Sequence, residues 1–155
     1  MQILFAEQSD LPIILDLQYA AYQSEARLLN NPNIPPLLQT LEELQNEFER
    51  GTILKAVDDD GSIIGSVRSY AKDGTLYIGK LIVQPDRQGK RIGTALLHEI
   101  ERACQQDRYE LFTSSISVRN IKLYERAGYR IFREQQISEN LKFIYLEKVF
   151  NRLDC

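Results

Sequence analysis

The chain has 155 residues, a formal net charge of −3 and 26% charged side chains. That length fits one domain with one sizeable core, and the acidic balance speaks against a general nucleic-acid binder. No apolar run is long enough to span a bilayer, and the opening MQILFAEQSD lacks the basic region of a signal peptide, so a cytoplasmic protein with no membrane or nucleic-acid partner is expected.

Residues 3–7 (ILFAE) read as a first strand. Ser9 or Asp10 then caps a helix with Leu11, Leu15, Tyr19 and Tyr22 on one side, and Pro12 is tolerated because it falls in the first turn. NNPNIPP (30–36) stops that helix and makes a loop. TLEE (40–43) is a capping box that opens a second helix with Leu41, Leu44 and Phe48 at helical spacing, and Gly51 ends it. Three strands follow at 52–57, 62–71 and 76–83, separated by the turn signals DDDG and KDGT, which makes an antiparallel meander. After Arg91 a helix turns Ile92, Leu96, Ile100 and Ala103 to one face and His98, Glu101 and Arg102 away from it. ELFTSSI (110–116) is a fifth strand and RNIKLYERAG (119–128) a short helix closed by Gly128. The strands 129–136 and 142–149 end the chain as a hairpin. Helices on both sides of a mixed sheet are the natural packing for this order. Cys104 and Cys155 stand in no metal-binding or disulfide spacing, so no metal site is expected.

VQPDRQGKRIGTALL (83–97) carries the chemistry. A strand end, a proline, a glycine with two cations and a second glycine lead into a helix. A helix N-terminus offers unpaired N–H groups and a favourable dipole, so an anion is the first candidate ligand. The lysine comes too early for a Walker loop, and the three early glycines of a dinucleotide fingerprint are missing.

LIVQPDRQGKRIGTALL (81–97) is similar to the acetyl-CoA pyrophosphate loop of the GCN5-related N-acetyltransferase (GNAT) superfamily, and NIKLYERAGY (120–129) is similar to its Asn…Tyr-Glu-x-x-Gly-Phe/Tyr segment. The resemblance covers nearly the whole chain. It implies one acetyltransferase domain over 1–155. The implied fold is α/β (α+β), a mixed, mostly antiparallel sheet of about seven strands flanked by four helices. One position departs from the pattern: Arg91 stands where the family places a glycine. Arginine is expected there in helical φ and ψ, adding a charge-assisted bond to a phosphate.

The resemblance assigns roles residue by residue. The pyrophosphate of acetyl-CoA, the co-substrate, would lie on the backbone of Gln88, Gly89, Lys90, Arg91 and Gly93, with the Thr94 hydroxyl added and Arg87, Lys90 and Arg91 supplying charge. The pantetheine arm would pair with Leu81 and Val83 like an extra strand. The Leu81 N–H would polarise the acetyl carbonyl, as an oxyanion-stabilising donor does. Asn120 would hold the pantetheine amides, and Tyr124, one turn on, would serve the leaving thiolate as catalytic donor. Many relatives carry a glutamate on the fourth strand, but YIGKLIV has Gly79 and Lys80 there. The general base is left open between Tyr70, Glu25 and a water chain. The implied activity is acetyl transfer from acetyl-CoA to a primary amine of a small-molecule or amino-acid-like acceptor by direct attack. The alternative is a coenzyme-A-binding sensor with little turnover. The acceptor pocket would come from residues 23–39, with Leu28, Leu29, Ile34, Leu37 and Leu38, and from 133–142. A homodimer is left open.

Overall fold

The computed structural model describes residues 1–150, so Cys155 lies outside the described residues. Seven strands form one sheet: β1 Gln2–Phe5, β2 Thr52–Val57, β3 Ile63–Lys72, β4 Thr75–Val83, β5 Arg108–Ser114, β6 Arg130–Gln136 and β7 Lys142–Val149. Their spatial order is β1-β2-β3-β4-β5-β7-β6. Every pairing is antiparallel except β4 with β5. Five helices accompany the sheet: α1 Leu11–Leu28, α2 Pro35–Leu38, α3 Leu41–Arg50, α4 Ile92–Ala103 and α5 Val118–Arg126. The sequence predicts four. The extra one is a single turn that starts in the expected loop and runs past it, where Pro35 and Pro36 hold helical φ without needing N–H partners.

Alternation along β2 splits the core in two. Ile53 faces Leu11, Ile14, Leu15 and Leu44 of α1 and α3. Leu54 and Ala56 face the other way, into a larger cluster with Leu96, Leu97 and Ile100 of α4, Tyr124 of α5 and Leu111, Ile144 and Leu146 of the far strands. Each large apolar side chain buried there contributes about 1.5–3 kcal/mol.

The capping box of α3 forms as expected: the Glu43 N–H donates to Thr40 Oγ1 at 3.2 Å and the Thr40 N–H to Glu43 Oε1 at 3.0 Å. Gly51 follows because a Cβ there would stand 2.1 Å from the Ser69 carbonyl oxygen. Asp10 sits at the start of α1 without capping it; its carboxylate accepts from the Glu7 N–H and from Lys55 Nζ. Two expectations for α4 are reversed. Ala103 is exposed, and Glu101 is buried. Tyr129 Oη and Lys148 Nζ, at 2.8 Å, both donate to the Glu101 carboxylate, so its charge is paired. That carboxylate and burial together push the Tyr129 phenol up.

Candidate active site

The sheet is incomplete at its centre. β4 and β5 pair only at Thr75–Arg108, Leu76–Tyr109 and Tyr77–Glu110. Beyond Tyr77 the strands part, and residues 78–83 and 111–114 have no partner across the gap. Leu81 and Val83 lie on this open stretch of β4. The gap opens at the C-terminal ends of two parallel strands, where open α/β sheets place ligands.

The turn after β4 closes one mouth of the gap. Its start is pinned by the Gln84 N–H donating to the Ile64 carbonyl at 2.8 Å. Gly89 has φ +84°, and Arg91 is left-handed at φ 63°, ψ 17°. The sequence expectation of helical φ and ψ at Arg91 is therefore corrected: the chain uses the conformation that glycine adopts without strain, at a cost of roughly 1–2 kcal/mol for an L-residue. This turn brings the chain into α4 with no side-chain cap. The first helical bond runs from Ala95 N–H to the Arg91 carbonyl at 3.1 Å. The N–H groups of Ile92, Gly93 and Thr94 thus lack helical partners. Gly93 is buried, and a Cβ there would meet Leu123 at 3.3 Å, Val83 at 3.8 Å and Leu81 at 3.9 Å, so a glycine lets α4 lie close on β4 and α5.

Lys90 and Arg91 are exposed at the turn. Arg87 is not free to join them, because its guanidinium pairs with Asp58 in the β2–β3 turn. Arg119 of α5, which the sequence reading passed over, leans onto the turn instead. Its Nη1 donates to Gln88 Oε1 at 3.2 Å, and its Nη2 would be 3.2 Å from a Cβ on Gly89. Arg119, Lys122 and Arg126 with Val118 line a shallow cavity of about 410 Å³ alongside. Unbonded helix N–H groups, a glycine where a Cβ would press on an arginine, and a rim of cations suit a phosphate-bearing ligand.

Tyr124 is 5% exposed with its ring in the larger core, yet its hydroxyl has no hydrogen-bond partner among the described residues. Burial pushes its pKa up, so the phenol stays protonated. Asn120, one turn earlier on α5, has a side-chain amide with no hydrogen bond among the described residues.

The opposite wall comes from α1. Gln18, Tyr22 and Glu25 recur at helical spacing and continue the apolar stripe of Leu11 and Leu15 past the end of the core. Tyr22 lies within electrostatic reach of Glu25 and Arg68 on its own side of the sheet and of Tyr124 on the other. Side chains from both faces therefore come near one another where the strands part. Ser117 Oγ donates to Glu25 Oε1 at 2.9 Å, and Ser114 stands beside this carboxylate. Burial raises the Glu25 pKa, and the two serines pull against that rise. Of the candidate bases, then, Glu25 reaches the gap. Tyr70 does not: it stacks on Tyr77 at 5.1 Å, beside the closed end of the β4–β5 junction, and is half exposed.

Arg68 on β3, 6% exposed, anchors a polar cluster behind α1. Its Nη2 donates to Gln18 Oε1, its Nη1 donates to Gln39 Oε1 at 3.2 Å and lies 3.1 Å from Glu47 Oε2. Gln39 Nε2 donates to Glu47 Oε1 at 2.9 Å, and Gln18 Nε2 donates to the Pro36 carbonyl at 2.8 Å. The cluster locks the 35–39 segment over the sheet. Of the apolar residues expected to form the acceptor pocket, Ile34 is buried, whereas Leu28 and Leu38 are exposed.

Among the described residues no helix is long and apolar enough to cross a membrane. Residues 33–150 match the family described as "Acetyltransferase (GNAT) domain". The chain is 31% identical over 119 residues to the UPF0157 protein YqkA of Bacillus subtilis (strain 168); the match takes in 76% of this chain and 34% of that protein, so the chain spans about a third of this relative's length. Two solved structures share the fold. One is the ribosomal-protein-S18-alanine N-acetyltransferase of Escherichia coli (TM-score 0.79, 16% identity, 97% of this chain and 94% of that one). The other is the PaiA N-acetyltransferase of Thermoplasma acidophilum in complex with coenzyme A (TM-score 0.78, 17% identity, 97% and 100%). With its split sheet, its uncapped α4 and a family match over most of its length, the chain belongs to the GNAT acetyltransferase family.

Proposed function

We propose that the chain transfers the acetyl group of acetyl-CoA to a primary amine of a small-molecule acceptor by direct attack. The observation that carries this reading is that Glu25 of α1 bonds Ser117 at the start of α5, the helix whose Tyr124 packs in the cluster that Leu81 and Val83 of the unpaired stretch of β4 adjoin. The coenzyme-A complex of the PaiA relative supports the choice of co-substrate. The turn from Gln88 to Thr94, with Arg119, holds its phosphates, and Leu81, Val83 and Asn120 hold its amide-bearing arm. Bound there, acetyl-CoA supplies an activated acyl group.

Each protein group then has a task. An alkyl ammonium has a pKa of about 10.4 and is no nucleophile until it loses a proton. Glu25, a carboxylate held at the gap and made more basic by burial, takes that proton. The amine nitrogen forms its bond to the acetyl carbon and sheds its second proton to solvent water, and the carbon–sulfur bond breaks. The Leu81 N–H donates to the carbonyl oxygen as charge builds on it. The Tyr124 hydroxyl donates a hydrogen bond to the departing thiolate. Its raised pKa makes it a poor source of a whole proton, so the thiolate, with a pKa of about 8.5, collects its proton from solvent.

The test is release of free thiol from acetyl-CoA across a panel of amines. Thiol that appears only with an amine, together with the acetylated amine, is the expected result. Saturable binding of acetyl-CoA with no turnover on any amine would overturn it.

A further inference from the structure

We infer that Lys80 receives a carboxylate of the acceptor, so that the substrate of this site is an amino acid rather than a polyamine or an amino sugar. The inference rests on the proposed reaction for the identity of the site and adds the chemical class of the acceptor.

Lys80 sits in the bulge of β4, where the register against β3 slips between Ser66 and Arg68. Its φ is 50°, left-handed, so the strand bends at this residue and re-aims its side chain. A lysine there carries strain that a glycine or asparagine would relieve. The adjacent Gly79 has open space: a Cβ on it would meet nothing within 4 Å. Both residues are on the part of β4 that faces the gap without a partner strand.

The electrostatics around Lys80 are unbalanced. Its side chain is partly buried and its Nζ has neither a hydrogen bond nor an ion pair among the described residues. Its charged neighbours are Arg68 and Glu47. Glu47 is already committed: one oxygen lies 3.1 Å from Arg68 Nη1, and the other accepts from Gln39. Two cations therefore share one carboxylate, and Lys80 is the one left over. Desolvation and the Arg68 charge both act against its ammonium form, with Glu47 opposing them. Arg68 Nε and Glu47 Oε2 are both buried without a hydrogen-bond partner. A surplus of one positive charge, beside open space, calls for a monoanion. A carboxylate fits that charge, and an ammonium group brought to the same place would add a third cation. The acceptor's own amine goes to the other end of the site, toward Glu25.

The experiment compares alanine, leucine, phenylalanine and β-alanine with their carboxamides, on the wild type and on Lys80→Met. The carboxamide amine is the less basic of each pair, so it is the more deprotonated at neutral pH, and a preference for the acid cannot come from amine ionisation. The wild type should prefer at least one acid over its carboxamide by tenfold or more in kcat/KM. Lys80→Met should raise KM for that acid about tenfold or more and change the carboxamide far less, with the acetyl-CoA Tm shift retained. The proposal is overturned if the wild type shows no preference for any acid, or if Lys80→Met loses acid and carboxamide equally. If neither series releases thiol while another amine does, the proposal is overturned; if no amine of the wider panel does, the reaction reading fails, and binding decides the inference separately. A Tm rise with an acid, absent with its carboxamide and absent in Lys80→Met, upholds the anion site; no such rise refutes it.

Discussion

Replacing Glu25 by Gln separates stability from catalysis. Glutamine keeps the shape and one acceptor oxygen, so the bond from Ser117 Oγ, 2.9 Å in the wild type, can persist. It removes the charge. Because burial raises the Glu25 pKa in the folded chain, the native state binds its proton more tightly than the unfolded state does. Stability from this group is therefore fully present below the ordinary carboxylate value of 4.5. It falls as pH climbs from there through the raised value, and stays reduced at neutral pH. Glu25→Gln lacks that loss. The gain at pH 7 is about 1 kcal/mol at most, since the side chain is only partly buried and water screens it, which corresponds to a Tm rise of about 2–4 °C. Activity moves the other way. Loss of a positioned base lowers kcat about 100-fold, and the acid limb of the kcat–pH profile that Glu25 sets disappears. Residual activity should then climb with pH as free amine replaces ammonium. Thermal melts from pH 4 to 8, paired with kcat profiles of both proteins, check both halves. A Glu25→Gln chain less stable than wild type at pH 7, or one with kcat within twofold of it, would show that the burial argument or the base assignment is wrong.

Tyr124→Phe keeps the ring in the core and deletes a hydroxyl that bonds to nothing in the described residues. The melting temperature and acetyl-CoA affinity should stay close to wild type while kcat drops about tenfold; a matching fall in Tm would reassign the residue to packing alone. Gly93→Glu puts a carboxylate at the uncapped start of α4 and presses on Leu123, so the saturable Tm rise with acetyl-CoA should vanish, and its survival would move the phosphates elsewhere. Arg91→Gly relieves a left-handed arginine but frees the unfolded chain by about 0.4–1 kcal/mol. Urea titration should accordingly place it within about 1 kcal/mol of wild type, with Arg91→Val clearly below both.

Local rules account for what the sequence revealed. The Thr40–Glu43 box, the hairpin glycines and the period of α4 are each written within a few residues, so strands and helices fall near their predicted places. The glycine-containing turn before α4 and the one-turn spacing of Asn120 and Tyr124 are equally local. What escaped is long-range. Glu101 reads as solvent-facing because its partners, Tyr129 and Lys148, stand 28 and 47 positions away. The serine partner of Glu25 lies 92 positions along the chain, so nothing near residue 25 sets it apart from Tyr70 as a candidate. Arg68 reads as an ordinary strand residue until Gln18, 50 positions earlier, folds over it. The bulge that turns Lys80, and the point where β4 leaves β5, depend on register, which no period-2 pattern specifies.

The short β4–β5 junction has a consequence in hydration. Along 78–83 and 111–114 the backbone groups directed at the gap have no strand to bond to, so in the free chain they are left to solvent. Any ligand entering the gap strips that solvent away. An aliphatic chain would leave each stripped N–H and C=O orphaned, at about 1–3 kcal/mol apiece. A chain with its own amides would replace the lost bonds. The sheet thus discriminates among long, thin ligands by dehydration alone, through atoms common to every residue, and substitutions along β4 and β5 that preserve the backbone leave that discrimination in place.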